Sequence, residues 1–155
     1  MEMQQIRLST EINATKEKVW DVLLSDATYR AWTSVFEEGS YAETDWKEGS
    51  KALFLTPEGS GMVSRIKLHK PNDVITIEHL GMVKDGEEIY DSEEMKSWQG
   101  STETYRVRSL NGKTELTIEQ DSAEKHYEWL SKTWEQALQK VKELAETDNK
   151  HGRSL

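Results

Sequence analysis

Three side chains in the middle of the sequence are of the types that bind a polar group or move a proton. They are His79, Glu103 and Tyr105, and they fall on segments whose alternating pattern predicts neighbouring central β-strands. If all three point inward, an imidazole, a carboxylate and a phenol come together and can hold a polar ligand head or shuttle protons. The alternative is a hydrogen-bonded cluster that holds the sheet and one or two waters.

Other catalytic and metal-binding chemistries find little support in the sequence. The chain has no Cys, which excludes thiol nucleophiles, disulfides and zinc-thiolate sites. Its four histidines lack metal-ligand spacing, and Ser60 lies in a turn after Pro57 rather than on the strand-to-helix elbow of a nucleophilic serine. The acidic run at residues 85–94 lacks the alternating ligands of a calcium loop. We therefore expect no metal and no cofactor, and we assign no catalytic residue.

Composition and charge restrict the partners of the chain. Its 155 residues suit a single domain, predicted at residues 1–147 and followed by a disordered tail at residues 148–155. A formal net charge of -9 argues against nucleic acid as a partner, because phosphate binding needs clustered Lys and Arg. No apolar run approaches the length of a membrane span, so we expect no membrane insertion and a cytoplasmic location.

Hydrophobic periodicity divides the chain into strands and helices. A strand at residues 6–12 precedes a helix at residues 15–24, a short second helix capped by Asp26, and a long helix at residues 123–146 with a capping box at Asp121. The strands predicted between the second and last helices are residues 35–45, 51–56, 62–69, 74–82, 99–110 and 114–120. This order favours an α+β fold in which a curved antiparallel sheet of six or seven strands wraps around the long helix.

Such a sheet tends to leave a cavity between itself and the helix, and its inward residues are the candidate pocket residues. Polar side chains on the inward faces need partners, which indicates water or a ligand inside the sheet. The predicted pocket residues are Ser64, Ile66, Ile77, His79, Glu103, Tyr105, Tyr127, Trp134 and Leu138.

Two further features concern the walls and the mouth of this cavity. Six Trp and five Tyr in a chain that is only 35% hydrophobic indicate either a compact aromatic core or aromatic pocket walls. The acidic run at residues 85–94 is typical of a solvated loop. Apolar residues within and beside it, Tyr90, Met95 and Trp98, are candidates for a lid over the cavity mouth.

The motifs that surround the first and last helices resemble a known family. A motif of the form N-A-T-x-x-x-V-W-D-x-L begins at Asn13, the second helix ends in Trp32, and the closing helix contains Trp134 and Leu138. On these residues the chain resembles the START-like or helix-grip superfamily, also called SRPBCC. Within it, the chain is similar to bacterial proteins related to the C-terminal domain of the activator of the heat-shock protein 90 ATPase. The resemblance implies a sheet that grips the C-terminal helix, with a ligand cavity in many relatives, and it transfers no catalytic residue.

Three functions remain open at this point. The first, which we favour, is the binding of a small hydrophobic or amphipathic molecule in the cavity, with its polar end near His79, Glu103 or Tyr105. The second is a co-chaperone or protein-interaction module that contacts a chaperone or a second copy of the chain through the acidic loop and a sheet edge. The third is an enzyme of the cyclase, dehydratase or hydrolase kind on the same fold.

Overall fold

The computed structural model describes residues 3–123 and 126–154, without the side chains at positions 3, 94, 97, 123 and 148–154. Within these residues it confirms the α+β helix-grip fold, with an antiparallel sheet, two short helices after the first strand and a long C-terminal helix. The strands are β1 (Met3–Ile12), β2 (Tyr41–Glu43), β3 (Lys51–Leu55), β4 (Gly61–Lys70), β5 (Val74–Lys84), β6 (Glu87–Ile89), β7 (Thr102–Leu110) and β8 (Lys113–Ala123). The helices are α1 (Lys16–Leu24), α2 (Asp26–Thr33) and α3 (Tyr127–Ser154), and a 3-10 helix covers Glu93–Ser97.

Seven strands form the continuous sheet, in the order β1-β8-β7-β5-β4-β3-β2. An eighth strand, β6, pairs with the end of β5 outside this path. It arises in the acidic loop, where Asp85 and Gly86 both have positive φ and turn the chain back on β5. Part of the segment predicted as a solvated loop is therefore a hairpin, because an Asp-Gly pair suits a turn that needs positive φ at both central residues.

The strand predicted at residues 35–45 is shorter than expected, since only Tyr41–Glu43 pairs with β3. Backbone hydrogen bonds instead fold the preceding residues into turns after α2, from Phe36 to Thr33 and from Ser40 to Glu37. Gly39 has a φ of 85°, which suits such a turn and is foreign to a strand. The segment from α2 to β2 thus becomes a compact connection on the same side as the helices.

Capping decides where the first two helices begin. Thr15 is the N-cap of α1, and its hydroxyl accepts the Lys18 amide proton at 3.1 Å. The prediction that Asp26 caps α2 is wrong, because Ser25 occupies the N-cap and Asp26 is the first helical residue. The Asp26 carboxylate instead accepts both hydrogen bonds from Arg30 one turn later, at 3.0 Å each.

The closing helix begins later than predicted. Asp121 lies in β8, where its carboxylate accepts the Thr102 amide proton at 3.0 Å, so the predicted capping box at Asp121 is wrong. Helical backbone extends from Tyr127 to Ser154, and disorder of residues 148–155 in solution stays a prediction. Within the described residues, no helix is long and apolar enough to span a membrane.

The core lies between the three helices and one face of the sheet, with Trp32 of α2 at its centre. This indole is 1% exposed, and its N–H donates to the Leu23 carbonyl of α1 at 3.2 Å. Its ring centroid lies 6.1 Å from that of Tyr105 on β7 and 5.7 Å from that of Trp134 on α3. One side chain therefore connects α2 to both other helices and to the sheet.

Replacement of Trp32 should destabilise the whole domain. Trp32→Ala is expected to lower the free energy of unfolding by about 3 to 5 kcal/mol, because it removes a fully buried ring and leaves a cavity. Trp129→Ala is the matched control, since the Trp129 side chain is 57% exposed and its loss should cost less than about 1 kcal/mol. Urea denaturation followed by circular dichroism measures both, and equal losses would contradict the central role of Trp32.

Candidate functional site

A cavity of about 290 Å³ opens between α2, the start of α3 and the inner face of the sheet. Exposed residues Glu37 and Trp129 are part of its wall, so the cavity reaches the protein surface. Its size is at the lower end of the range for small-molecule sites, roughly 300 to 1,000 Å³. The cavity is lined by Tyr29, Trp32, Thr33, Phe36, Glu37, Ser40, Tyr41, Phe54, Leu55, Thr56, Met62, His79, Glu103, Tyr105, Gln120, Trp129, Leu130 and Trp134.

Aromatic residues are the largest class of side chain in the cavity wall. Eight of the eighteen lining residues are Phe, Tyr or Trp, and seven of these eight have ring contacts with other aromatic residues of the wall. Phe36 meets Trp134 edge-on at 5.0 Å between ring centroids, and Trp134 lies 5.8 Å from Tyr105. On the opposite side, Tyr29 lies 6.3 Å from Phe54. These mutual contacts hold the rings in place, so the apolar wall is preformed.

The Glu103 carboxylate is the centre of a polar cluster on this wall. Its side chain is only 15% exposed, and both of its oxygens accept hydrogen bonds. Oε1 lies 3.1 Å from Nε2 of His79, and Oε2 accepts the hydroxyl proton of Tyr105. Glu103 and Tyr105 are two residues apart on β7 and so share a face, while His79 reaches them from β5.

Both ring nitrogens of His79 have a hydrogen-bond partner. An ionised carboxylate only accepts hydrogen bonds, so in the contact with it Nε2 of the ring carries the hydrogen atom and is the hydrogen-bond donor. On the other side, Nδ1 lies 2.8 Å from the Ser64 hydroxyl, which donates to a neutral ring. Ser64 has no exposed surface and does not line the cavity, so this Ser-His-Glu series presents no nucleophile to a ligand.

A second polar contact joins the closing helix to the sheet at the cavity. The indole N–H of Trp134 donates to the amide oxygen of Gln120 on β8. Gln120 is opposite Glu103 in the β7-β8 register, so its amide stands beside the carboxylate cluster. The side chains of His79, Glu103 and Gln120 therefore form one polar part of the cavity wall.

The two buried tyrosines of the cavity remain protonated. Burial raises the pKa of Tyr29 above its usual range, and the nearby Glu103 charge raises it further. Burial likewise raises the pKa of Tyr105, with additional contributions from Glu103, Tyr29 and the hydrogen bond to Glu103. Both phenols are thus neutral hydrogen-bond donors at physiological pH.

The formal charge of the described cavity wall is negative. Its ionisable groups include the carboxylates of Glu37 and Glu103, and no described lining residue is Lys or Arg. Arg30 stacks on Tyr41 with its guanidinium carbon 5.0 Å from the ring centroid, but Arg30 is bound to Asp26 and does not line the cavity. The part of the chain that the structure describes contains no group of three or more His, Asp or Glu residues able to hold a metal ion.

The structure brings some predicted pocket residues together at the cavity and leaves others behind it. His79, Glu103, Tyr105 and Trp134 line the cavity. Ser64 lies behind His79, while the other predicted residues belong to or pack against the core: Ile66, Ile77, Leu138 and Tyr127. Ligand contact by any of them stays a proposal.

The candidate lid residues lie elsewhere. Tyr90, Met95 and Trp98 are absent from the cavity wall. Tyr90 is 45% exposed and donates its hydroxyl proton to Glu88, whereas Met95 is fully buried. In this arrangement the segment folds against β5, and its role as a lid stays a prediction.

Sequence reasoning missed most of the aromatic wall. Tyr29, Phe36, Phe54 and Trp129 line the cavity but lie on α2, on the turn after it, on β3 and at the start of α3. For Tyr29 and Trp129 the sequence signal is the number of Trp and Tyr residues in a chain that is only 35% hydrophobic, whereas nothing in the composition points to Phe36 or Phe54. Composition alone does not say which rings meet, because that depends on the path of residues 34–40.

The family follows from a match along most of the chain. Residues 13–146 match the model of the family described as activator of Hsp90 ATPase homolog 1-like protein. The chain belongs to this family. It is the START-like family that the motif at Asn13 predicts, and its model covers both short helices, strands β2 to β8 and the long helix as far as residue 146. Comparison with curated proteins finds no match in sequence.

Solved structures share the fold of this Hsp90 ATPase activator-like chain at low sequence identity. Protein MLL2253 from Mesorhizobium loti is 14% identical, with a TM-score of 0.72 over 93% of this chain and 98% of its own. The Aha1 dimer from Colwellia psychrerythraea is 17% identical, with a TM-score of 0.68 over 92% of this chain and 96% of its own. DynU16, a protein of the dynemicin biosynthetic locus, is 13% identical with a TM-score of 0.67; the match covers 93% of this chain and 48% of that one.

The buried tyrosines predict a loss of stability in alkali. Because the folded chain holds Tyr29 and Tyr105 protonated, the unfolded chain alone releases these protons once pH rises above about 10, and unfolding is favoured there. Each tyrosine should lower the free energy of unfolding by up to about 1.4 kcal/mol per pH unit above that point, with no loss at lower pH.

Urea denaturation at a series of pH values, together with phenolate absorbance, measures this effect. Tyr29→Phe should flatten the alkaline loss, and Tyr41→Phe is the control at a half-buried tyrosine. Ionisation of all five tyrosines in the folded protein near pH 10 would contradict the prediction.

Proposed function

We propose that this protein binds a small molecule with a largely apolar body in the aromatic cavity, with the polar end of the ligand at the Glu103 cluster. The observation that carries the proposal is the cavity of about 290 Å³, which reaches the surface and has eight aromatic lining residues. Each methylene that such a ligand buries contributes about 0.8 kcal/mol, and flat rings suit apolar ligands of several shapes.

The polar cluster favours a ligand that binds in one orientation over a purely apolar ligand that could bind in several. The carboxyl group of Glu103 lies inside the wall with Tyr105 and His79 as hydrogen-bond partners, which offset the cost of placing a polar group there. Each carboxylate oxygen has two lone pairs and accepts one of these bonds, which leaves capacity for a ligand donor. We therefore expect the ligand to present a hydrogen-bond donor to Glu103.

Neutral aromatic probes test the binding function. Indole, 2-naphthol and 4-phenylbutan-1-ol should bind with dissociation constants below about 1 mM, since a preformed apolar site needs little reorganisation. Isothermal titration calorimetry measures the affinity. No heat of binding from any of the three, at any accessible concentration, would contradict the proposal.

A matched pair of substitutions tests whether the probe binds in the cavity. Met62 lines the cavity, whereas Met82, its register partner on β5, does not. Met62→Trp should fill part of the cavity and weaken binding of 4-phenylbutan-1-ol at least about tenfold, because overpacked sites lose the volume the ligand needs. Met82→Trp makes the same change next to the cavity and should leave the affinity within about twofold. Equal losses in both variants would assign the binding to another place.

A protein contact is the second candidate function. The Colwellia psychrerythraea neighbour is described as a dimer, and the family takes its name from the Hsp90 ATPase activator. In this chain, Trp129 is 57% exposed at the start of α3, beside the cavity mouth. A large exposed ring of this kind is a frequent anchor of protein interfaces.

Light scattering after size exclusion tests this second function. If Trp129 anchors a dimer, the purified chain should have twice its monomer mass of 17.9 kDa, and Trp129→Glu should return it to the monomer mass. Pull-down with the intact acidic loop tests a chaperone partner. A monomer at all concentrations that also enriches no chaperone would contradict this function.

An enzymatic role would have to use the cavity cluster. Turnover that is lost in Glu103→Gln or His79→Ala, in a folded protein, would support a cyclase, dehydratase or hydrolase. If both variants convert a substrate as fast as the unaltered chain, the enzymatic role of this cluster is contradicted.

A further inference from the structure

We infer that the ligand of this cavity carries a cationic nitrogen, such as a protonated amine, and that acidic ligands are rejected. The inference rests on the proposed function and names the chemical class of the molecule bound. It follows from three features of the cavity: the charge of its wall, the bonding of Glu103 and the density of aromatic rings.

The charge of the wall excludes an acid. A carboxylate or phosphate inside the cavity would meet Glu103, with Glu37 at the surface, and no described lining residue is a Lys or Arg. The guanidinium of Arg30 lies behind Tyr41 and is bound to Asp26. A buried anion without a cationic partner costs several kcal/mol, and a second carboxylate nearby raises that cost.

The hydrogen bonds that Glu103 makes leave its carboxylate able to accept a further donor from a ligand cation. Nε2 of His79 lies 3.1 Å from one carboxylate oxygen of Glu103, and Nδ1 lies 2.8 Å from the Ser64 hydroxyl. Tyr105 donates a neutral hydroxyl proton. Among the described side chains of the wall, none is a Lys or Arg that pairs with this carboxylate, and its two oxygens keep lone pairs for a further donor. A ligand cation at this position gains an ion pair of low exposure.

The negative potential is felt by the neighbouring phenols. The Glu103 charge raises the pKa of both Tyr29 and Tyr105 beyond the effect of burial. The same potential that disfavours a phenolate favours an ammonium group.

The aromatic rings add a second attraction of the same sign. Trp32, Tyr105 and Trp134 surround the carboxylate side of the cavity with ring centroids 5.7 to 6.1 Å apart. A cation within about 6 Å of a ring centroid is attracted by the electron-rich face, by about 0.5 to 2 kcal/mol depending on desolvation. An anion gains nothing from these faces.

Three probes that share one body test the inference. 4-Phenylbutylamine, 4-phenylbutan-1-ol and 4-phenylbutyric acid differ only in a head group that is cationic, neutral or anionic at neutral pH. The amine should bind about tenfold more tightly than the alcohol, and the acid at least about tenfold more weakly than the alcohol. Calorimetry on the full chain measures all three affinities.

The outcomes separate this inference from the proposed function. If the alcohol or the acid binds as tightly as the amine, the cavity binds ligands and the preference for a cation is wrong. If none of the three binds, the proposed function fails and the inference with it.

Substitution of Glu103 tests whether its carboxylate causes the preference for a cationic head group. Glu103→Gln should weaken binding of the amine about tenfold more than it weakens binding of the alcohol, because the amine loses an ion pair and the alcohol loses only a hydrogen bond to a charged acceptor. Glu115→Gln is the matched control, since Glu115 bonds Arg108 on the exposed face of the same sheet. An unchanged amine affinity in folded Glu103→Gln would overturn the inference; if that variant does not fold, the order of the three probes on the unaltered chain decides.

Discussion

The burial of Trp32 is the interaction on which the rest of the structure depends. Its indole N–H is bonded to the carbonyl of Leu23, and its ring packs against Tyr105 and Trp134. This contact fixes α2 at a set distance from both β7 and α3. Because two indoles and a phenol are rigid and bulky, they keep these elements apart as firmly as they hold them together. The cavity is the space that remains beside this cluster.

The Glu103 carboxylate at the edge of the cavity is a second constraint on the structure, because a polar group with little access to water needs hydrogen-bond partners. Glu103 has little access to water, and its two oxygens are hydrogen-bonded by Tyr105 and His79, while the other ring nitrogen of His79 is bonded to Ser64. The cluster therefore extends from β4 through β5 to β7. Structural rigidity and the chemistry of the cavity arise from the same hydrogen bonds, so a change to one of these residues affects both.

Much of this arrangement could be predicted from the sequence, and the exceptions have identifiable causes. Alternation in the strands predicted that His79, Glu103 and Tyr105 come together, since the pleat decides which residues share a face. The chain path after α2 could not be predicted in the same way. Residues 35–45 lie between a helix and a turn signal and are predicted as a strand, but local turns that include Gly39 occupy the first part of this segment. Phe36 reaches the cavity only as a result of these turns.

The polar anchor and the apolar wall of the cavity have different structural origins. Glu103 and Tyr105 are two residues apart on one interior strand, so the sheet itself fixes their geometry. Phe36, Glu37 and Ser40, in contrast, belong to a short connection outside any helix or strand. Exchange of this connection would alter the shape of the cavity and leave its charged anchor in place. The scaffold is therefore suited to redesign, in which new ligands with the same head group are selected by varying one surface turn.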